Sequence, residues 1–315
     1  MRGEESMKVL YVASEAVPFA KSGGLGDVAG ALPAALRKKL VGVRVVLPLY
    51  QEIRQDLKDQ LTFLKEMWVP LSWRSQYCGI FEAKVNGVTY YLLDNQYYFG
   101  RRGFYGHFDD AERFAFFSKA ALELLQHIDF EPDVINCNDW QTGLLPFYLN
   151  KFYRNINDCY QHVQVVYTIH NIQYQGIFSP DIVENVLGLD WLDYAGGYIQ
   201  FDNCVNFMKT GIMAASWVTT VSPTYAQEIQ NAYYGHGLQT LLQQENAKLS
   251  GIINGIDYDT YNPETDPHLF KNYSLETIAD KKVNKTELQK LLNLPVNPEI
   301  PMIAMVTRLV DHKGL

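Results

Sequence analysis

The sequence predicts an α/β protein built on a doubly wound, mostly parallel sheet. Three observations lead there. Short continuous apolar runs alternate with helix-like stretches, the order expected of strand–helix–strand units. Polar clusters follow several of those runs, at the strand ends where an open parallel sheet binds its ligands. Asn86-Gly87 lies between two β-rich runs and adds a hairpin to the scheme.

Met1 to Ser6 precede the first strand pattern and read as an N-terminal extension, residues 1–6. Val9 to Ala13 reads as a buried strand and is followed by Lys21-Ser22-Gly23-Gly24-Leu25-Gly26-Asp27. The three glycines allow a tight turn and a close approach to a ligand. The N–H groups opening the next helix would face an anion, and Lys21 is a point charge suited to phosphate. A plain strand-to-helix turn with a solvated lysine accounts for the same residues, and spacing alone does not choose. Asp27 is placed to cap a helix running toward Lys39, which Pro33 should kink or restart. Val43 to Leu47 is a second strand, stopped by Pro48.

Ile80 to Val85 and Val88 to Leu93 form an antiparallel ribbon at one edge of the sheet. A loop rich in Tyr, Arg and Gly, Tyr97 to His107, leads to Asp109-Asp110 as a cap. The helix after it carries Phe114, Phe117, Ala121, Leu124, Leu125 and Ile128 near one face. Val134 to Cys137 is a strand ending in Asn138-Asp139-Trp140, and the helix beyond it contains Pro146. Val163 to Ile169 is a strand ending in His170-Asn171. Met208 to Trp217 reads as helix and Val218 to Val221 as strand. Ser222 caps a further helix with Pro223 at its first position. Leu249 to Ile253 is a strand ending in Asn254-Gly255-Ile256-Asp257.

These elements make residues 7–257 one Rossmann-like domain. Residues 258–300 read as a linker and helix: Tyr258 to Tyr273 are Pro-, Asp- and Asn-rich, and Leu275 to Leu294 are amphipathic. Met302 to Val306 is a buried-strand pattern. A lone parallel strand has no neighbours to cover its faces, so 301–315 reads as the first strand of a second Rossmann-like domain, only begun.

Composition narrows the function. Net charge is −8, which argues against a broad nucleic-acid or anionic-membrane surface but not against a local basic pocket. Cys78, Cys137, Cys159 and Cys204 are scattered, with no C-x-x-C pair, the usage of a reduced cytosolic protein. No apolar stretch reaches the ~18 residues of a membrane span. Glu4, Glu5 and Glu15 are foreign to a secretory signal. With 21 Tyr and 16 Phe the chain suits a large core and equally a carbohydrate-facing surface. A nicotinamide dehydrogenase is disfavoured, because the glycine turn is not G-x-G-x-x-G and the second strand ends in Pro48-Leu49-Tyr50, without an acidic residue for a ribose.

Five motifs stand in a fixed order: Lys21 to Val28 (KSGGLGDV), Thr168-Ile169-His170-Asn171, Ser222-Pro223-Thr224-Tyr225-Ala226, Asn254-Gly255-Ile256-Asp257, and Arg308-Leu309 with His312-Lys313-Gly314. Together they closely resemble bacterial glycogen synthase and plant starch synthase, the ADP-glucose-using α-1,4-glucan synthases, over Lys8 to Leu315. The resemblance implies a GT-B fold of two Rossmann-like domains. It implies glucosyl transfer from ADP-glucose to the non-reducing end of an α-1,4-glucan, with retention, in the cytoplasm, and without a metal or other cofactor. Lys and Arg would then balance the charge of the leaving diphosphate.

By the same resemblance His170 is the catalytic-site histidine beside the reacting sugar. Lys21, Gly23, Gly24, Asp27, Asn254, Arg308 and Lys313 belong to the ADP-glucose donor site, and Tyr105, Asp139 and Asn171 to the acceptor cleft. Lys209 matches a family position whose role the motif leaves open. The chain departs from the family pattern at Asn138 and Gln141, where histidine is usual. The nucleotide pocket and a glutamate near the anomeric centre belong to the second domain. On this reading the 315 residues alone are inactive; the alternative is a non-catalytic malto-oligosaccharide-binding fragment.

Overall fold

The computed structural model of the protein describes Met7 to Thr307 and Leu309. Arg308, Lys313 and the N-terminal extension lie outside the described residues. The chain divides into two compact units after Gly255.

The first unit is a large mixed sheet wrapped by helices. Its strands are β1 (Lys8–Val12), β2 (Gly42–Pro48), β3 (Thr62–Leu71), β4 (Arg74–Val85), β5 (Val88–Asp94), β6 (Val134–Asn138) and β7 (Gln164–Ile169). A separate small sheet uses β8 (Ile177–Phe178), β9 (Gln200–Phe201) and β10 (Cys204–Asn206), and β11 (Trp217–Thr220) and β12 (Leu249–Gly251) complete the large one. The spatial order is β12-β11-β7-β6-β1-β2-β5-β4-β3, parallel from β12 through β5 and antiparallel at β4 and β3. β1 therefore has β2 on one side and β6 on the other, and the chain reverses its winding there. The loops leaving β1 and β6 diverge, which makes the crevice between them the expected ligand position of such a sheet.

The central strands are apolar runs because both faces are covered: Leu10, Val12, Val45, Val46, Leu47, Ile135, Val165 and Ile169 are buried. The Asn86-Gly87 turn joins β4 to β5 as expected, with both residues at positive φ. β5 then pairs in parallel with β2, so the ribbon continues the main sheet. The edge strand β3 was not foreseen, although Met67, Val69 and Leu71 alternate with exposed neighbours at the period of two that marks a strand. The strands of the small sheet are two or three residues long, below the length at which periodicity is readable.

Several expectations are corrected. Asp27 is not a cap: the helix runs from Gly24 to Lys38, Gly23 precedes it, and Asp27 sits in the first turn. There its charge meets the positive end of the helix dipole. Pro33 does not restart that helix, which is continuous through it. The helix Asp110–Glu123 is not one-faced; Phe114, Phe116, Phe117, Ala120 and Leu122 are all fully buried, so it is an interior helix. Pro146 is at the start of a short helix, Leu145–Tyr148, where its missing N–H costs nothing. Ser222 does cap its helix, its Oγ accepting from the Tyr225 N–H at 2.9 Å, with Pro223 first.

The second unit contains a helix at Lys281–Leu291, shorter than the amphipathic pattern from Leu275 to Leu294. Residues 302–306 form no strand among the described residues, and Ile303 and Val306 are exposed. An apolar strand pattern forms a strand only beside a partner backbone, and none pairs with it among the described residues.

Candidate functional site

At the C-terminal end of β1 the chain continues into Ser14 and Glu15, both buried. The Glu15 carboxylate gathers donors from two loops. From the glycine turn it accepts the Ser22 N–H, the Ser22 hydroxyl at 2.7 Å and the Gly23 N–H at 3.3 Å. From the aromatic loop it accepts the Tyr105 hydroxyl at 2.6 Å, and that hydroxyl also lies 2.8 Å from Ser14 Oγ. The anion met by the Ser22 and Gly23 N–H groups is thus the protein's own carboxylate.

Gly23 has φ −157°, an extended conformation open to any residue. A Cβ on Gly23 or Gly24 would meet nothing within 4 Å. What glycine leaves at these positions is open space. Lys21 Nζ lies 2.7 Å from Asp27 Oδ1, both side chains about half exposed. An exposed pair of this kind contributes roughly 0.2–1 kcal/mol.

The aromatic loop is fixed from beneath by Arg113, which is fully buried. Its guanidinium donates to Tyr98 O at 2.7 Å, to Phe104 O at 3.1 Å and to Asp110 Oδ1 at 2.5 Å. Asp110 Oδ2 in turn accepts the Gly106 N–H at 2.8 Å. Arg101 makes a bidentate pair with Asp109 at 2.7 and 2.8 Å. Tyr105 packs toward Phe114 and Trp140. Burial pushes its hydroxyl well above the usual range, with Tyr50 and Glu15 adding to the effect, so it remains a donor.

At the end of β6, Asp139 adopts φ 55° and ψ −176°, a region that is almost exclusively glycine's and costs about 1–3 kcal/mol. Its contacts hold it there. Its N–H donates to Thr168 O at 3.0 Å, and its Oδ1 accepts the His170 N–H at 2.7 Å and the Asn171 N–H at 3.3 Å. Burial raises its pKa above the carboxylate norm; His170 and the two N–H donors oppose that. Asp139 therefore binds the end of β6 to the loop that carries His170.

The His170 Nε2 lies 2.9 Å from Asn138 Oδ1. Burial, which favours the neutral ring, lowers the imidazole pKa below its ordinary value, against the pull of Asp139. Asn171 turns its Oδ1 to the Gln173 N–H, and the Tyr225 hydroxyl accepts the Ile172 N–H at 3.3 Å. Trp140 packs against Gly176, which stands at φ +65° and where a Cβ would come within 2.5 Å of the indole. Only glycine fits there. An open depression of about 310 Å³ lies beside this pair, lined also by Asp110, Tyr174 and Phe178.

Glu15, Lys21, Tyr105, Asp139, His170 and Asn171 thus follow β1, β5, β6 and β7 along one end of the sheet. Asn254 follows the outermost strand, β12, and is exposed. Lys209 is a tie: its ammonium donates to Gly197 O at 2.7 Å and Gln200 O at 2.6 Å. The reading of the sequence missed Glu15 and Arg113. A lone acid directly after a buried strand, and an Asp-x-x-Arg spacing inside an apolar helix, were the available signals. Among the described residues no group of three or more His, Cys, Asp and Glu is placed to hold a metal ion, and no helix is long and apolar enough to cross a membrane.

Residues 8–244 match the family model of the starch synthase catalytic domain. The glycogen synthase of Alkaliphilus metalliredigens (strain QYMF) is 50% identical over 309 residues, covering 98% of this chain and 65% of that protein. The glycogen synthase of Clostridium beijerinckii is 52% identical over 309 residues, covering 98% of this chain and 64% of that protein. The chain thus spans just under two thirds of the length of these relatives. Among solved structures, the catalytic domain of starch synthase IV from Arabidopsis thaliana, bound to ADP and acarbose, superposes with a TM-score of 0.85 at 34% identity, covering 92% of this chain and 60% of that one. The mixed α/β sheet is that of a GT-B catalytic domain.

Proposed function

The chain belongs to the starch synthase catalytic domain family, and from that premise we propose that it supplies the N-terminal half of an ADP-glucose-dependent glycogen or starch synthase. The reading rests chiefly on one observation: the glycine turn with Lys21, the Tyr105 loop and the Asp139–His170–Asn171 junction come to one end of the sheet, around its switch point. The substrates are ADP-glucose and the non-reducing end of an α-1,4-glucan; ADP and acarbose are the ligands bound to the Arabidopsis relative.

Transfer with retention leaves ADP with charge gathering on its diphosphate as the glycosidic bond breaks. Lys21 meets that charge from this half, releasing Asp27 as it does so, and the open side of Gly23 and Gly24 lets the donor approach. Arg308 and Lys313, matched by the family motif, add further positive charge for the diphosphate, and these cations take the part that a metal plays elsewhere. Asn254 contributes to the donor side. His170, a neutral ring held by Asn138 and Asp139, orients the glucose. Tyr105, Asp139 and Asn171 border the glucan. The protein works in the cytoplasm, and transfer needs both halves.

The test is incorporation of radiolabelled glucose from ADP-glucose into glycogen. The chain joined to the C-terminal domain of the Clostridium beijerinckii relative should transfer glucose, and the 315 residues alone should not. Robust transfer by the 315 residues alone would overturn the half-site reading. A well-folded hybrid that binds glycogen without transferring would favour the binding-fragment alternative.

A further inference from the structure

The hydrogen bonds around Asn138 settle more than its own position. Asn138 is fully buried at the last residue of β6. Its amide nitrogen lies 3.0 Å from Val12 O, 3.3 Å from Asn136 O and 3.0 Å from Asn136 Oδ1. Two of these are main-chain carbonyls, which only accept, so the NH₂ end of the amide must face them. Asn136 is oriented in the same way: its own NH₂ donates to Thr168 Oγ1 at 2.9 Å and reaches Val166 O at 3.3 Å, which leaves its Oδ1 for Asn138. The chain of donors leaves Asn138 one orientation, with Oδ1 toward the Tyr11 hydroxyl at 3.0 Å and His170 Nε2 at 2.9 Å.

A carbonyl oxygen cannot donate. The imidazole nitrogen facing it must therefore carry the hydrogen. We infer that Asn138 is a positioning residue that holds His170 as the Nε2–H tautomer, making Nδ1 the only ring nitrogen able to accept a hydrogen bond from a sugar hydroxyl. A histidine at this position would be able to present either a donor or an acceptor, whereas an asparagine locked by two carbonyls presents an acceptor alone. Asn138 thus converts a group with two possible polarities into one with a single polarity. The use of Nδ1 toward a sugar rests on the transferase reading; the tautomer itself does not.

The test needs neither substrate nor turnover. The 315-residue chain is labelled with ¹⁵N-histidine and examined by long-range ¹H–¹⁵N correlation at pH 8, with the His170 signals identified by their loss in His170→Asn. The expected spectrum has a protonated Nε2 and a bare Nδ1. A protonated Nδ1 with a bare Nε2, or two protonated nitrogens, would overturn the assignment. In Asn138→Ala the two nitrogens should move toward averaged shifts as both tautomers become populated; an unchanged pattern would remove Asn138 as the cause. Should that variant not fold, Asn138→Asp keeps the shape and sets a carboxylate against Nε2. With Asp139 the other acid bearing on the ring, the His170 pKa should then rise by roughly one to three units, and an unmoved value would contradict the proposal. Failure of glucosyl transfer in the hybrid enzyme would leave these spectra as they are, so the two readings fail separately.

Discussion

The Glu15 carboxylate accepts the Tyr105 hydroxyl at 2.6 Å, across 90 residues of sequence, while its other contacts hold the Ser22 and Gly23 backbone. One buried acid joins the turn assigned to the donor and the loop assigned to the acceptor. The two are therefore not independent attachments to a scaffold, and disturbing one should disturb the other.

Tyr105→Phe should cost about 1.5–3 kcal/mol, the range for a hydrogen bond to a charged group. Glu15→Gln should cost a similar amount and speed hydrogen exchange at the Ser22 and Gly23 amides. Because the two side chains share a bond, the double variant should cost less than the two single costs added. Urea unfolding of the four proteins checks this; strict additivity would mean the contact contributes nothing.

Asp139 carries a backbone cost that only glycine escapes. Asp139→Gly and Asp139→Ala both lose the carboxylate that holds His170 and Asn171, but the glycine variant also loses the strain. Asp139→Gly should be the more stable of the two by about 1–3 kcal/mol, the reverse of the usual order of Ala over Gly. Thermal unfolding decides between the two orders.

The His170 imidazole titrates below its unfolded value of 6.5 because it is buried. Above that pH the ring is neutral in both states. As the pH falls through 6.5 and toward the folded value, the unfolded chain takes up the proton first, so stability is lost on acidification. His127 is lowered in the same direction, so the informative quantity is a difference. Between pH 7.5 and 5, the stability of His170→Asn should fall less steeply than that of the unaltered chain, and parallel curves would show that the ring carries no such linkage.

Lys21→Gln keeps the length of the side chain near the donor and removes its charge. In the hybrid enzyme kcat/KM for ADP-glucose should drop by about a hundredfold, the scale for removing one preorganised charge-stabilising group. Binding of maltoheptaose to the 315-residue chain should be unaffected. Unchanged donor kinetics would remove Lys21 from the donor site.

Much of the fold was legible because its strands are buried on both faces. Val9 to Ala13 and Val43 to Leu47 are apolar runs too short for helices, and the structure has β1 and β2 within a residue or two of them. The turn chemistry of Asn86-Gly87 and Ser222-Pro223 was equally local. What escaped depends on distant partners. β3 is an edge strand whose first half is exposed, and Met302 to Val306 has the pattern of a strand but pairs with no neighbour among the described residues. The same holds for the site. Lys21, His170 and Asn171 stand out in sequence because they sit in short motifs. Glu15 looks like an interruption of an apolar run until Tyr105 and Ser22 are folded onto it, and the consequence of asparagine at 138 appears only once Val12 and Asn136 surround its amide.

The most direct test of the central claim, that sugar meets this chain around the ends of β1, β6 and β7, is a crystal structure of the 315-residue chain soaked with maltoheptaose. The account predicts glucosyl density against Tyr105 and the Asp139–Asn171 junction, with Glu15 still bridging Tyr105 to Ser22. Ordered maltoheptaose bound only elsewhere on the surface, with that end of the sheet empty, would contradict it.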